Sequence, residues 1–272
     1  MLKRLTILTL FIWMTVSQVV IGQGNRSSSF DIPDVNGGPL VSSNVSNNPS
    51  RRTTSNSKDI AIQKISGEYS SLENTPEMIR VDLGEKNNQE FLIARTEVTV
   101  KQYKIFCEAT GRSMPSRMPA WGWNENHPIV YVSWDDANAY CNWLSQKTGK
   151  KYRLPTTEEW ETAAKGGAKS LGYSYSGYDE PEMVSWFWGD EEINSTQTVA
   201  TKKPNETGLY DMSGNAWEWC SNPDKKESAA NKKYLKGGSW NRHKSTLKIE
   251  YTEEVPDDYF NFDIGFRPVA EL

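Results

Sequence analysis

Between Gly166 and Lys233 the chain shows almost no helical or strand periodicity, yet it carries Trp186, Trp188, Trp217 and Trp219 there. A loop region that long inside a compact domain is uncommon and usually belongs to a functional or metal-supported segment. Its densest part is GLYDMSGNAWEW (208–219), which fits neither a helix nor a strand period. Gly208 and Gly214 predict backbone bends that a Cβ would hinder. Asp211, Asn215 and Glu218 offer the mixture of carboxylate and amide oxygens that hard cations such as Ca2+ prefer. The spacing is not that of an EF-hand. A tight turn in which Asn and Asp satisfy local backbone groups while the tryptophans enter the core accounts for the same residues. Both readings are open.

Not all 272 residues belong to one core. Residues 1–22 have a basic start at Lys3 and Arg4, an apolar run from Leu5 to Val16 and a small Gly22, the pattern of a secretory signal peptide. The run is too short and too closely followed by polar residues to anchor in a bilayer. No cysteine precedes Cys107, which excludes lipid attachment to an N-terminal cysteine. The expectation is an exported mature chain without a transmembrane segment. Residues 23–75 are expected to be a polar linker: the Ser-, Asn- and Thr-rich part up to 58 has too little apolar surface to offset chain entropy. The folded domain is expected at 76–272. A net charge of −4 leaves no electrostatic footprint for nucleic acid. The three cysteines, Cys107, Cys141 and Cys220, permit one disulfide and one thiol, or three isolated buried thiols.

Three helices are predicted. The first runs about Val100 to Thr110, with Thr99 and Gln102 as a capping box and Gly111 as a stop. The second runs about Trp134 to Lys147 after Ser133, ending at Gly149. The third runs about Thr157 to Lys165, with Thr156 and Glu159 at its start and Gly166 at its end. Strand candidates are Phe91–Arg95, Ile129–Val132, Tyr234–Lys236, Lys248–Thr252 and Gly265–Val269. The fold class is α+β: small antiparallel sheets, two to three helices and much irregular chain.

Six segments carry a resemblance: TEVTVKQY (96–103), HPIVYVSWDDANAYCNWL (127–144), YRLPTTEEWETAAKGG (152–167), KPNETGLYDMSGNAWEW (203–219), LKGGSW (235–240) and IGFRP (264–268). In this order the chain resembles the formylglycine-generating enzyme, or sulfatase-modifying factor, family over about 76–272. The resemblance implies a variant of the C-type lectin-like fold stabilised by Ca2+. It implies Asn215 and Glu218 as side-chain ligands, with carbonyls from Gly214 and Ala216. A second Ca2+ site in the family uses a longer loop than the one between Asn194 and Val199 here. The family's Cys141 counterpart finds its disulfide partner where this chain has Pro268.

The family's enzyme oxidises a cysteine of an unfolded sulfatase to formylglycine, holding Cu(I) between two cysteines that follow the GGS element. Those positions match Arg242 and Leu247. Arginine brings a fixed positive charge and leucine no donor, so copper is not expected and no catalytic residue is nominated. The sulfoxide-forming branch of the superfamily needs a histidine-histidine-glutamate constellation on an added helical domain. This chain has two histidines, His127 and His243, and they do not supply a Ser-His or Cys-His hydrolase either. Three functions remain. The first is a non-catalytic module that binds a peptide, glycan or envelope protein in a groove of Trp240, Arg242 and Trp217 beside the acidic loop Val255–Tyr259. The second is an oxidoreductase of altered metal or cysteine chemistry, for example at Cys220. The third is an assembly part of an envelope or secretion machinery. Among the loop tryptophans, Trp121, Trp123, Trp186 and Trp188 are as readily surface as core.

Overall fold

The computed structural model describes residues 74–83, 90–189, 193–221, 232–256 and 258–272. All of them belong to one compact unit that spans Ser55–Leu272. The expected leader at 1–22 and the linker up to 73 lie outside the described residues.

Each helix starts where side chains replace missing backbone partners. Thr99 Oγ1 accepts the Gln102 N–H at 3.3 Å, and Gln102 Oε1 accepts the Thr99 N–H at 2.9 Å, opening α1 (Val100–Thr110). Ser133 and Asp136 do the same for α2 (Trp134–Thr148), and Thr156 and Glu159 for α3 (Thr157–Ala164). Each such N-cap contributes about 1 kcal/mol. Gly111 and Gly149 close the first two helices in the left-handed conformation. Tyr103 and Phe106 of α1 pack against Tyr140 of α2 and against Phe266 or Trp143, with ring centroids 5.2–6.5 Å apart.

Two four-stranded sheets complete the domain. The first has the order β1 (Met78–Val81), β2 (Phe91–Ala94), β8 (Val269–Ala270), β3 (Tyr152–Arg153), all antiparallel. The second has the order β6 (Glu253–Pro256), β5 (Lys232–Lys236), β4 (Trp217–Cys220), β7 (Ile264–Gly265). Its β4–β7 pair is parallel and the others are antiparallel.

The helices and the strands at 91–94 and 234–236 are where the pattern puts them. Four strand expectations need correction. Trp217–Cys220 was expected to follow no period, but it is a strand with all four residues buried. It lies between β5 and β7 with both faces covered, which erases the alternation that betrays a strand. Ile129–Val132 is buried but forms no strand. Ile129 N–H bonds Val98 O and Tyr131 N–H bonds Asn261 O, two unrelated partners, and Tyr131 sits at φ 61°. Lys248–Thr252 is a turn closed by Tyr251 N–H on Lys248 O at 2.9 Å, and the strand begins only at Glu253. Gly265–Val269 splits into β7 and β8, so that Arg267 between them turns inward.

Candidate functional site

The segment after β5 is built around two close approaches. Gly237 and Gly238 both have positive φ, 91° and 74°. A Cβ at Gly238 would lie 2.8 Å from Leu247 Cδ1. The preceding β4 turn is stitched to this segment by Gly214 N–H on Gly237 O at 2.8 Å and by Trp240 N–H on Asn215 O at 3.0 Å. Gly214 (φ 87°) has the Trp186 carbonyl where a Cβ would stand. Asp211 and Asn215 take up the remaining left-handed positions, φ 57° and 60°, which short polar residues tolerate best.

Leu247, one of the two positions where the resemblance puts a thiolate, is fully buried with Tyr175, Val184 and Phe187. Arg242, the other, reaches the buried Asp263, its Nε 3.4 Å from Oδ2. Ser239 Oγ donates to the same Oδ2 at 2.8 Å. Burial raises the Asp263 carboxyl above its ordinary range, opposed by the Ser239 hydrogen bond and the Arg242 charge.

Beside this pair lies a cavity of about 170 Å³. Trp217, Leu235, Val255 and Ile264 form its apolar walls, Tyr251 and Tyr259 add aromatic edges, and Arg242, Thr246 and Glu253 supply the polar groups. The structure thus brings together the expected Trp217 and Arg242 with Val255 and Tyr259. Val255 and Pro256 of the expected loop belong to β6. Trp240 does not line the cavity: it packs edge-on against Trp121 at 5.4 Å and against Phe262 at 5.8 Å. Tyr251 and Glu253 were missed, because they enter from a turn and strand two or more residues off the expected register. Tyr251 Oη donates to Glu253 Oε2 at 2.6 Å. Of the loop tryptophans, Trp188 is 62 % exposed beside His243, while Trp121, Trp123 and Trp186 are half-buried.

The cysteine candidates lie inside the core. Cys107, Cys141 and Cys220 are all free and buried. Burial pushes the Cys141 thiol up to about 12 and the Cys220 thiol well above its ordinary value. His127 Nδ1 lies 3.1 Å from Thr196 Oγ1, with its pKa lowered by burial.

The side chains expected around Ca2+ make protein hydrogen bonds. Asn215 Oδ1 accepts the Gln197 N–H at 2.8 Å, and its Nδ2 donates to Gln197 O at 3.3 Å. Glu218 is fully buried and bidentate with Arg267, at 2.7 Å for each oxygen, and Oε2 also accepts Trp160 Nε1–H at 2.7 Å. Both side chains expected as ligands thus also hold protein partners. Four carboxylates carry buried oxygens without partners among the described residues: both of Glu97, Oδ1 of Asp211, Oδ1 of Asp263 and Oε2 of Glu206, and of these Glu97 and Asp211 are neighbours. Burial and the neighbouring Asp211 charge hold Glu97 well above the usual carboxylate range, and burial lifts Asp211 to about 6. Among the described residues no three His, Cys, Asp or Glu side chains group in metal-binding geometry. Glu97 and Asp211 are acidic oxygens of the kind a hard cation takes.

Comparison with known proteins follows this geometry. A family model described as the sulfatase-modifying factor enzyme 1-like domain matches residues 46–272. The chain is 31% identical over 233 residues to the chaperone protein LppX of Paenibacillus barcinonensis, covering 66% of this chain and 80% of that one. It is 33% identical over 166 residues to the inactive C-alpha-formylglycine-generating enzyme 2 of Bos taurus, covering 53% of each, and so spans about half of that relative. The crystal structure of CarF superimposes with a TM-score of 0.62 at 28% identity, over 73% of this chain and 99% of that one. No helix among the described residues is long and apolar enough to cross a membrane.

Proposed function

Because this chain belongs to the sulfatase-modifying factor family but carries Arg242 and Leu247 where the resemblance puts thiolates, we propose that it is an exported, non-catalytic binding module. It seats an apolar side chain of a partner polypeptide in the Trp217–Arg242 cavity. The observation that carries this reading is the cavity itself: about 170 Å³ with apolar walls, beside an Arg242–Asp263 ion pair where a soft metal would need sulfur. That volume accommodates roughly one benzene-sized group, and a peptide supplies such groups singly. Apolar walls favour a side chain over a sugar ring, whose hydroxyls would lose water there without recompense. The chaperone name of the Paenibacillus relative agrees with a polypeptide partner. The signal-peptide pattern of residues 1–22 supports export. Ca2+ enters as a scaffold ion at Asp211 and Glu97, where it would neutralise the buried oxygens that lack partners and brace the turn beneath the cavity.

The test is titration of the purified chain with short peptides that contain or lack a Phe or Leu, followed by tryptophan fluorescence. Peptides with the apolar residue are expected to bind, and filling the cavity with Val255→Phe is expected to abolish binding without unfolding the domain. Oxygen consumption and formylglycine formation on a cysteine peptide with Cu(I) would overturn the non-catalytic reading.

A further inference from the structure

Resting on that reading of the cavity, we propose that the seated group is a chain end: an apolar C-terminal residue whose α-carboxylate lies on the guanidinium of Arg242. The Arg242–Asp263 ion pair is read at Nε, at 3.4 Å, longer than a good charged hydrogen bond. The terminal nitrogens of Arg242 donate no hydrogen bond among the described residues. The side chain is 41 % exposed, so those nitrogens are open at the cavity. A planar fork with two free N–H edges matches a carboxylate in bidentate geometry, a match that a lysine or a backbone amide does not offer. The buried Asp263 carboxylate, held by the Ser239 hydroxyl, lies on the Nε side of the guanidinium and draws that edge toward it by charge.

Size sets the second condition. The cavity holds one large side chain and no more. An internal peptide segment would have to run its chain in and out of the pocket mouth, whereas a terminal residue enters once. Its side chain meets Trp217, Val255 and Ile264 while its carboxylate meets Arg242. Glu253 lines the same cavity and already accepts the Tyr251 hydroxyl. A peptide presents an uncharged amide to Glu253, whereas a free amino acid presents an ammonium. This difference separates the two sources of the same carboxylate chemistry.

The experiment uses the full chain without its leader and three probes: a short peptide ending in Phe as the free acid, the same peptide as the C-terminal amide, and free phenylalanine. Isothermal titration is expected to give the acid peptide about tenfold tighter binding than the amide, the scale of one charge-assisted hydrogen-bonded pair. Arg242→Gln is expected to remove that difference while the amide binds unchanged. The double variant Arg242→Gln/Asp263→Asn is expected to behave alike, which separates the loss of the fork from the stranding of Asp263. Equal binding of acid and amide overturns the carboxylate assignment and leaves the side-chain reading standing. Binding of neither peptide overturns both. Free phenylalanine binding tighter than the acid peptide, with loss in Glu253→Gln, overturns the chain-end assignment in favour of an amino acid ligand.

Discussion

Removing Arg267 and removing its partner Glu218 should have unequal consequences. Arg267 is fully buried and donates to Glu218 through Nε and Nη2, to Tyr210 O at 2.8 Å, and to Ala94 O and Arg95 O at 3.1 and 3.2 Å. Arg267→Met strands Glu218, which costs about 3–5 kcal/mol for a buried pair broken from one side. It also deprives Tyr210 O of its donor, adding about 1–3 kcal/mol. Arg95 O keeps the Tyr210 N–H, so its loss is smaller. The sum, roughly 4–8 kcal/mol, is comparable with the whole stability of a typical domain. Glu218→Gln is different. One glutamine oxygen still accepts from Arg267, the amide NH2 faces the donors of the other oxygen, and Asp211, lifted to about 6, remains a negative charge beside the cation above that pH. The loss is one charge-assisted hydrogen bond, about 1.5–3 kcal/mol, still below the cost of removing Arg267. Urea unfolding followed by tryptophan fluorescence, in chelator and in millimolar Ca2+, measures both. Ca2+ is expected to reduce the gap by adding positive charge beside Asp211. Equal destabilisation by the two variants would refute the argument, because it would mean that Asp211 contributes nothing to the charge balance around Arg267.

Four further outcomes follow from the same geometry. Leu247→Ala is expected to lower stability by about 2–5 kcal/mol, the cost of a cavity in a packed apolar cluster, as read by thermal unfolding. Gly214→Ala adds a Cβ against the Trp186 carbonyl at a positive φ and is expected to reduce soluble yield and Tm, measured by calorimetry. Asp211→Asn keeps the left-handed backbone and the Ala200 N–H bond. It is expected to abolish a Ca2+-dependent rise in Tm while leaving Tm in chelator unchanged or higher. Trp188→Ala removes an exposed ring outside the cavity, and peptide affinity is expected to stay within about twofold, a surface change of under about 0.5 kcal/mol.

The sequence by itself determined the three helices, because Thr99, Ser133 and Thr156 with their partners three residues on, and Gly111 and Gly149 at the ends, are local signals that act within one turn. It also determined that no thiol stands at 242 or 247. Trp217 and Arg242 were legible as neighbours from their motifs alone. What only the tertiary structure decided rests on long-range pairing. Trp217–Cys220 is a strand because β5 and β7 flank it, which no period in four buried residues reveals. Glu218 meets its partner only through the fold, because Arg267, 49 residues later, donates to both its oxygens. Glu97 and Asp211, 114 positions apart in the numbering, become one buried acidic pair only when β2, the β4 turn and the chain between β7 and β8 meet around that arginine. Local chemistry writes itself into adjacent residues; charge balance in a core belongs to segments that are far apart until the chain folds.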